Sequence, residues 1–112
     1  MAEHLGAFEQ AVLLSVVRLG DEAYGRAIMK DVQARIEREV AAGAVHATLE
    51  RLQQKGLVAS RLGAGTPVRA GRPRRYYRLR PAGVRALNAA RAAVDDLWRG
   101  LTWPLDVAKG RV

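Results

Sequence analysis

A mainly α fold carrying one small β-hairpin is what this 112-residue sequence predicts, on three observations. Apolar residues recur at helical spacing in four segments. Two short strand-like segments flank a stretch rich in Gly and Pro. The positive charge is concentrated in the middle of the chain rather than spread along it.

The first helical segment is residues 6–19, GAFEQAVLLSVVRL. Phe8, Val12, Val16 and Leu19 make a stripe that Leu13 and Val17 widen almost all round, which predicts a buried helix. Gly20 and Asp21 end it. In residues 23–38, Ile28, Val32 and Ile36 recur every four positions with Arg26, Lys30 and Arg35 off that line, so a second, amphipathic helix is expected. Residues 43–55, GAVHATLERLQQK, place Val45, Leu49 and Leu52 on one stripe, and Gly56 supplies a left-handed stop. The opposite face would carry Ala44, Ala47, Thr48, Arg51 and Lys55. It is small at its start and cationic further on, the profile of a helix that sinks into a groove.

Residues 57–62, LVASRL, read as a short strand. Residues 63–74, GAGTPVRAGRPR, read as a loop, and residues 75–79, RYYRL, as a second strand. Neighbours on a strand point to opposite faces, so one of Tyr76 and Tyr77 faces the core. The other lies outside, where its hydroxyl reaches a phosphate, a role assigned to Tyr77. Pro81 suits the first turn of a last helix running to about Arg99. There Val84, Leu87, Arg91, Val94, Trp98 and Leu101 follow heptad spacing with one polar break.

Three helices followed by a hairpin is the winged helix-turn-helix plan. Its third helix enters the major groove and its hairpin loop presses on the neighbouring backbone or minor groove. Charge agrees with it. Residues 1–50 hold five basic and eight acidic side chains, residues 51–94 eleven basic and none acidic, and residues 95–112 three of each. A block of that kind binds polyanions, because neutralised phosphates release counterions. Residues 1–80 are expected to form the DNA-binding domain, 81–103 a dimerisation helix and 104–112 a tail.

The chain has no cysteine, which removes disulfides, thiolate metal sites and cysteine nucleophiles. His4 and His46 stand apart from any ligand partner in sequence, no serine sits in a nucleophile elbow, and Gly63–Thr66 lacks the lysine of a phosphate loop. No catalytic residue, metal or cofactor is expected. The first ten residues lack a basic segment and no apolar run approaches ~20 residues. A cytoplasmic protein without a membrane span is the expectation.

Three stretches together carry a family resemblance. They are LGAFEQAVLLSVVRLGDEAYGRAIMKDV, GAVHATLERLQQKGLV and GRPRRYYRLRPAGVRAL. Their specific elements are Tyr24-Gly25, the run from Leu49 through Arg51-Leu52 to Lys55-Gly56-Leu57, and Gly71-Arg72 with Arg75-Tyr76-Tyr77, Leu79 and Gly83. Over about residues 5–87 the sequence resembles the PadR family of bacterial transcriptional regulators. The resemblance implies dimeric winged-helix proteins that bind palindromic DNA, usually as repressors, some released by a phenolic or drug-like ligand. It also implies a dimer built from the first and last helices. Two positions depart from the family pattern. His46 stands where many members carry tyrosine, and Arg80 where many carry an N-capping threonine, a loss of about 1 kcal/mol.

The candidate DNA contacts are therefore Ala44, His46, Ala47, Thr48, Arg51 and Lys55 on the third helix, and Arg72, Arg74, Arg75 and Tyr77 on the wing. For Arg51 a salt bridge with a nearby acid is an equal alternative. Val84, Leu87, Val94, Trp98 and Leu101 are the candidate dimer seam. Trp98 is also a candidate for stacking a small aromatic ligand, with dimer core the stronger reading. Expected partners are double-stranded DNA and a second copy of the chain. The rivals are a sequence-indifferent nucleic-acid binder and a protein-interaction adaptor.

Overall fold

The computed structural model describes residues 4–63 and 73–107. Helix α1 spans Ala7–Leu19, a short 3-10 turn Gly20–Glu22, helix α2 Gly25–Ile36 and helix α3 Ala42–Gln54. Strands β1 (Val58–Leu62) and β2 (Arg75–Leu79) follow, then helix α4 (Pro81–Trp98). Every predicted element is present within two or three residues of its expected ends. Arg72 and most of the hairpin loop lie outside the described residues.

Helix ends follow local chemistry. The Glu9 carboxylate accepts a hydrogen bond from the Gly6 amide at 3.1 Å, closing the first turn of α1. Gly20 (φ 55°) and Gly56 (φ 78°) take the positive φ that ends α1 and follows α3. Arg80 precedes α4 without any side-chain cap, as its chemistry requires, and Pro81 occupies the first turn.

Val12, Leu13 and Val16 of α1 pack with Ile28 and Val32 of α2 and Val45, Leu49 and Leu52 of α3 into one core. Leu57, Val58, Tyr77 and Ala86 close it from the hairpin and α4. One expectation is corrected here. Helix α1 is not buried all round: Leu14 is 43% and Val17 53% exposed, because the α2 and α3 neighbours cover one side only.

The hairpin is antiparallel, pairing Val58 with Leu79, Ser60 with Tyr77 and Leu62 with Arg75. The Tyr77 amide donates to the Ala23 carbonyl just before α2 (2.8 Å), and the Arg80 amide closes the base of the hairpin on the Leu57 carbonyl (2.9 Å). The wing therefore leaves the body beside the start of α2 and alongside α3. No helix among the described residues is long and apolar enough to cross a membrane.

Candidate nucleic-acid interface

Successive α-helical residues are ~100° apart, so the buried set on α3 fixes which residues look outward. Val45, Thr48, Leu49 and Leu52 are buried. Directly opposite lies a line formed by Gly43, Ala47, Glu50 and Gln54, all exposed. Ala44, Arg51 and Lys55 flank it on one side, His46 and Gln53 on the other. Small residues lead the outward line, which lets the helix approach a groove floor closely.

Thr48 does not belong to that face. It is only 3% exposed, so its predicted DNA contact is corrected: it borders the apolar stripe and accepts from Arg51 Nη2 at 3.4 Å. Arg51 is half turned away as well. Its Nε lies 3.3 Å from Glu9 Oε2, and Lys55 Nζ lies 3.2 Å from the same oxygen. Burial pushes the Glu9 carboxyl up, but the Gly6 amide, Lys55 and Arg51 outweigh it and hold the pKa below the ordinary glutamate value. The salt-bridge alternative for Arg51 is thus the observed one. Its side chain remains 51% exposed on the α3 flank.

The wing meets α3 through a hydrogen-bonded chain. Arg75 Nη1 donates to Ser60 Oγ (2.9 Å), which donates to Gln53 Oε1 (3.0 Å). Arg74 sits over the Tyr24 ring, its guanidinium carbon 4.1 Å from the centroid, and Arg61 covers Tyr76 at 5.0 Å. The Tyr24 and Tyr76 rings meet edge to face at 5.7 Å. Tyr24 anchors a wing arginine, a role that its place beside Gly25 did not suggest.

Tyr77 is the core member of the tyrosine pair, at 7% exposure, so its assignment to the outer face is corrected. Its ring joins the core cluster with Leu57 and Val58. Burial raises its hydroxyl pKa, and the charge of Glu50 adds to this against the opposing effect of Arg75. Tyr24, Arg26, His46, Arg74, Arg75 and Tyr77 help line an open cleft of about 620 Å³ between α2, α3 and the wing. Its mouth thus gathers His46, Arg74 and Arg75. The exposed Ala47 follows His46 on the outward line of α3, and Ala44 lies on the far flank of that line.

The predicted dimer seam divides along α4. Leu87 packs partly on the core of its own chain, whereas Val84 and Val94 are each 45% and Leu101 60% exposed, and Trp98 is half-buried. Leu97, which only borders the predicted seam, is 78% exposed. With Leu14 and Val17 of α1, these side chains leave apolar surface on the first and last helices.

A model of the transcriptional regulator PadR-like family matches residues 13–89. No curated protein sequence matches the chain. Among solved structures, a PadR family transcriptional regulator from Eggerthella lenta is 32% identical over 77% of this chain and 72% of its own, with a TM-score of 0.60. A PadR family transcription regulator from Clostridium difficile is 23% identical, covering 82% and 95% with a TM-score of 0.60. A structure described as the complex of hsRosR-S4 is 24% identical, covering 89% and 79% with a TM-score of 0.66. These last two share the fold.

Proposed function

This chain belongs to the PadR-like family of transcriptional regulators, and we propose from that premise that it is a homodimeric repressor of a palindromic operator. Each protomer inserts α3 into a major groove, with the partner's α3 about one helical turn (~34 Å) along the duplex. The observation that carries this reading is the shared cleft. His46 of α3 and the wing arginines Arg74 and Arg75 line one open cleft, with the outward line of α3 next to His46, so one helix can enter a groove while two cations meet the adjacent backbone. His46, Ala44 and Ala47 are the proposed groove-facing residues, and Arg51 and Lys55 the phosphate-facing flank once DNA competes with Glu9.

The apolar surface of α1 and α4 forms the dimer interface, with Val84, Val94, Trp98 and Leu101 at its centre. A flat aromatic ligand stacking on Trp98 would change the angle between protomers, hence the half-site spacing and the affinity. The protein acts in the cytoplasm, where its DNA is.

Selection of bound duplexes from a random pool, with purified protein at stated salt, tests the reading. Enrichment of a palindrome with half-sites about 10 base pairs apart supports it. Binding without enrichment would establish a sequence-indifferent binder instead.

A further inference from the structure

We infer that Glu50 determines specificity: its carboxylate accepts a hydrogen bond from the exocyclic amino group of a cytosine in the major groove. The inference rests on the DNA-binding reading above. Glu50 lies on the outermost line of α3, opposite the buried Val45, Leu49 and Leu52, with a side chain 56% exposed. Gly43 and Ala47 share that line, and neither projects far enough to hold the helix off the bases. A glutamate one turn beyond them has the reach to meet a base edge.

An acid on that line is unfavourable for a helix approaching phosphates, whatever the sequence. Arg51 and Lys55 do not offset it, because they lie on the flank of α3 shared with Glu9 and not beside Glu50, and Arg75, which lines a cavity with Glu50, donates to Ser60. One turn earlier, His46 Nε2 lies 3.4 Å from its Oε2, and both side chains are exposed. A carboxylate can only accept a hydrogen bond. In the major groove the cytosine N4 amino group presents a matching donor. The repulsion then falls on every site, and the hydrogen bond returns it only at sites with the right base. Glu50 therefore lowers affinity for random duplex and sharpens the choice of operator.

The test is duplex selection with wild-type protein, Glu50→Ala and Glu50→Gln, together with affinities for the selected and a scrambled duplex. Glu50→Ala should bind scrambled duplex more tightly and lose its preference at one position per half-site, a discrimination of roughly tenfold in the wild type. Glu50→Gln should move that preference from cytosine to adenine, because glutamine pairs with the adenine N6 and N7 edge. All three proteins should give the same far-UV circular dichroism, since Glu50 is exposed. If the wild type selects a palindrome and both variants select it with unchanged preference at every position, the inference fails while the DNA-binding reading stands. If the variants tighten binding equally on all sequences with no positional loss, Glu50 is a repulsive charge only and the inference fails. If the wild type binds no duplex, both fall.

Discussion

Replacing Gly83 with alanine sets two effects against each other. In the interior of a helix, alanine is ordinarily about 1 kcal/mol more favourable than glycine. At this position a Cβ would stand 2.3 Å from the Leu57 carbonyl oxygen and 2.6 Å from Leu79 Cδ2. The leucine methyl can swing away, but the carbonyl belongs to backbone that also accepts the Arg80 amide at 2.9 Å. Relief requires the first turn of α4 to lift by about 1 Å, which weakens that bond and opens the contact with the hairpin. Overpacking of this kind costs about 1–3 kcal/mol, and a damaged hydrogen bond about 1 more. The net expectation is a loss of about 2 kcal/mol, or roughly 10 °C in Tm for a domain of this size. Urea unfolding followed by circular dichroism at fixed protein concentration measures it. A Gly83→Ala protein as stable as wild type, or more so, would refute the close seating of α4 on Leu57.

Glu9→Gln keeps an acceptor for the Gly6 amide but removes the charge shared by Arg51 and Lys55. Stability should fall by about 1 kcal/mol, while affinity for duplex at low salt rises and its salt slope steepens by up to about 2 per protomer. An unchanged slope in a fluorescence-anisotropy titration would show that neither cation reaches phosphate. Glu9 and Asp31 both have pKa values below their ordinary ones, Asp31 through the Arg18 guanidinium at its carboxylate. Their stabilisation is complete above the unfolded carboxylate pKa near 4 and is lost as pH falls through the depressed folded values. Unfolding free energy should decline below about pH 4, more shallowly in Glu9→Gln, and parallel curves would contradict the role of Glu9. Leu97→Glu, at the most exposed apolar position of α4, should convert a dimer to a monomer in sedimentation equilibrium without loss of helix. Retention of the dimer mass would move the interface elsewhere.

The elements were legible because each rests on local signals. Apolar spacing set the helices, Gly20 and Gly56 ended two of them, and Pro81 opened the last. The site was less legible, because its arrangement depends on contacts distant in sequence. Glu9 meets Arg51 across 42 residues, and no local pattern shows that the acid of one helix will hold the cations of another. Strand alternation established that Tyr76 and Tyr77 face opposite ways. Which one turns inward depends on packing against the core, where Tyr77 joins Leu57 and Val58. Thr48 sits at the margin of the buried arc of α3, where its polarity argued for the surface and the packing of α3 on the core prevailed. Glu50 carries no local signal of its own, because it closes the acidic half of the chain, although its position on the helix places it among the outward residues.

The central claim is that α3 and the wing hold the cations of residues 51–94 against duplex phosphates. The double substitution Arg74→Ala, Arg75→Ala tests it most directly, through the slope of log affinity against log salt on a fixed duplex. Four lost contacts in a dimer, each worth about 0.9, should reduce that slope by 3 to 4 and weaken binding at least roughly tenfold near 0.1 M salt. An affinity and a slope both equal to wild type would contradict it.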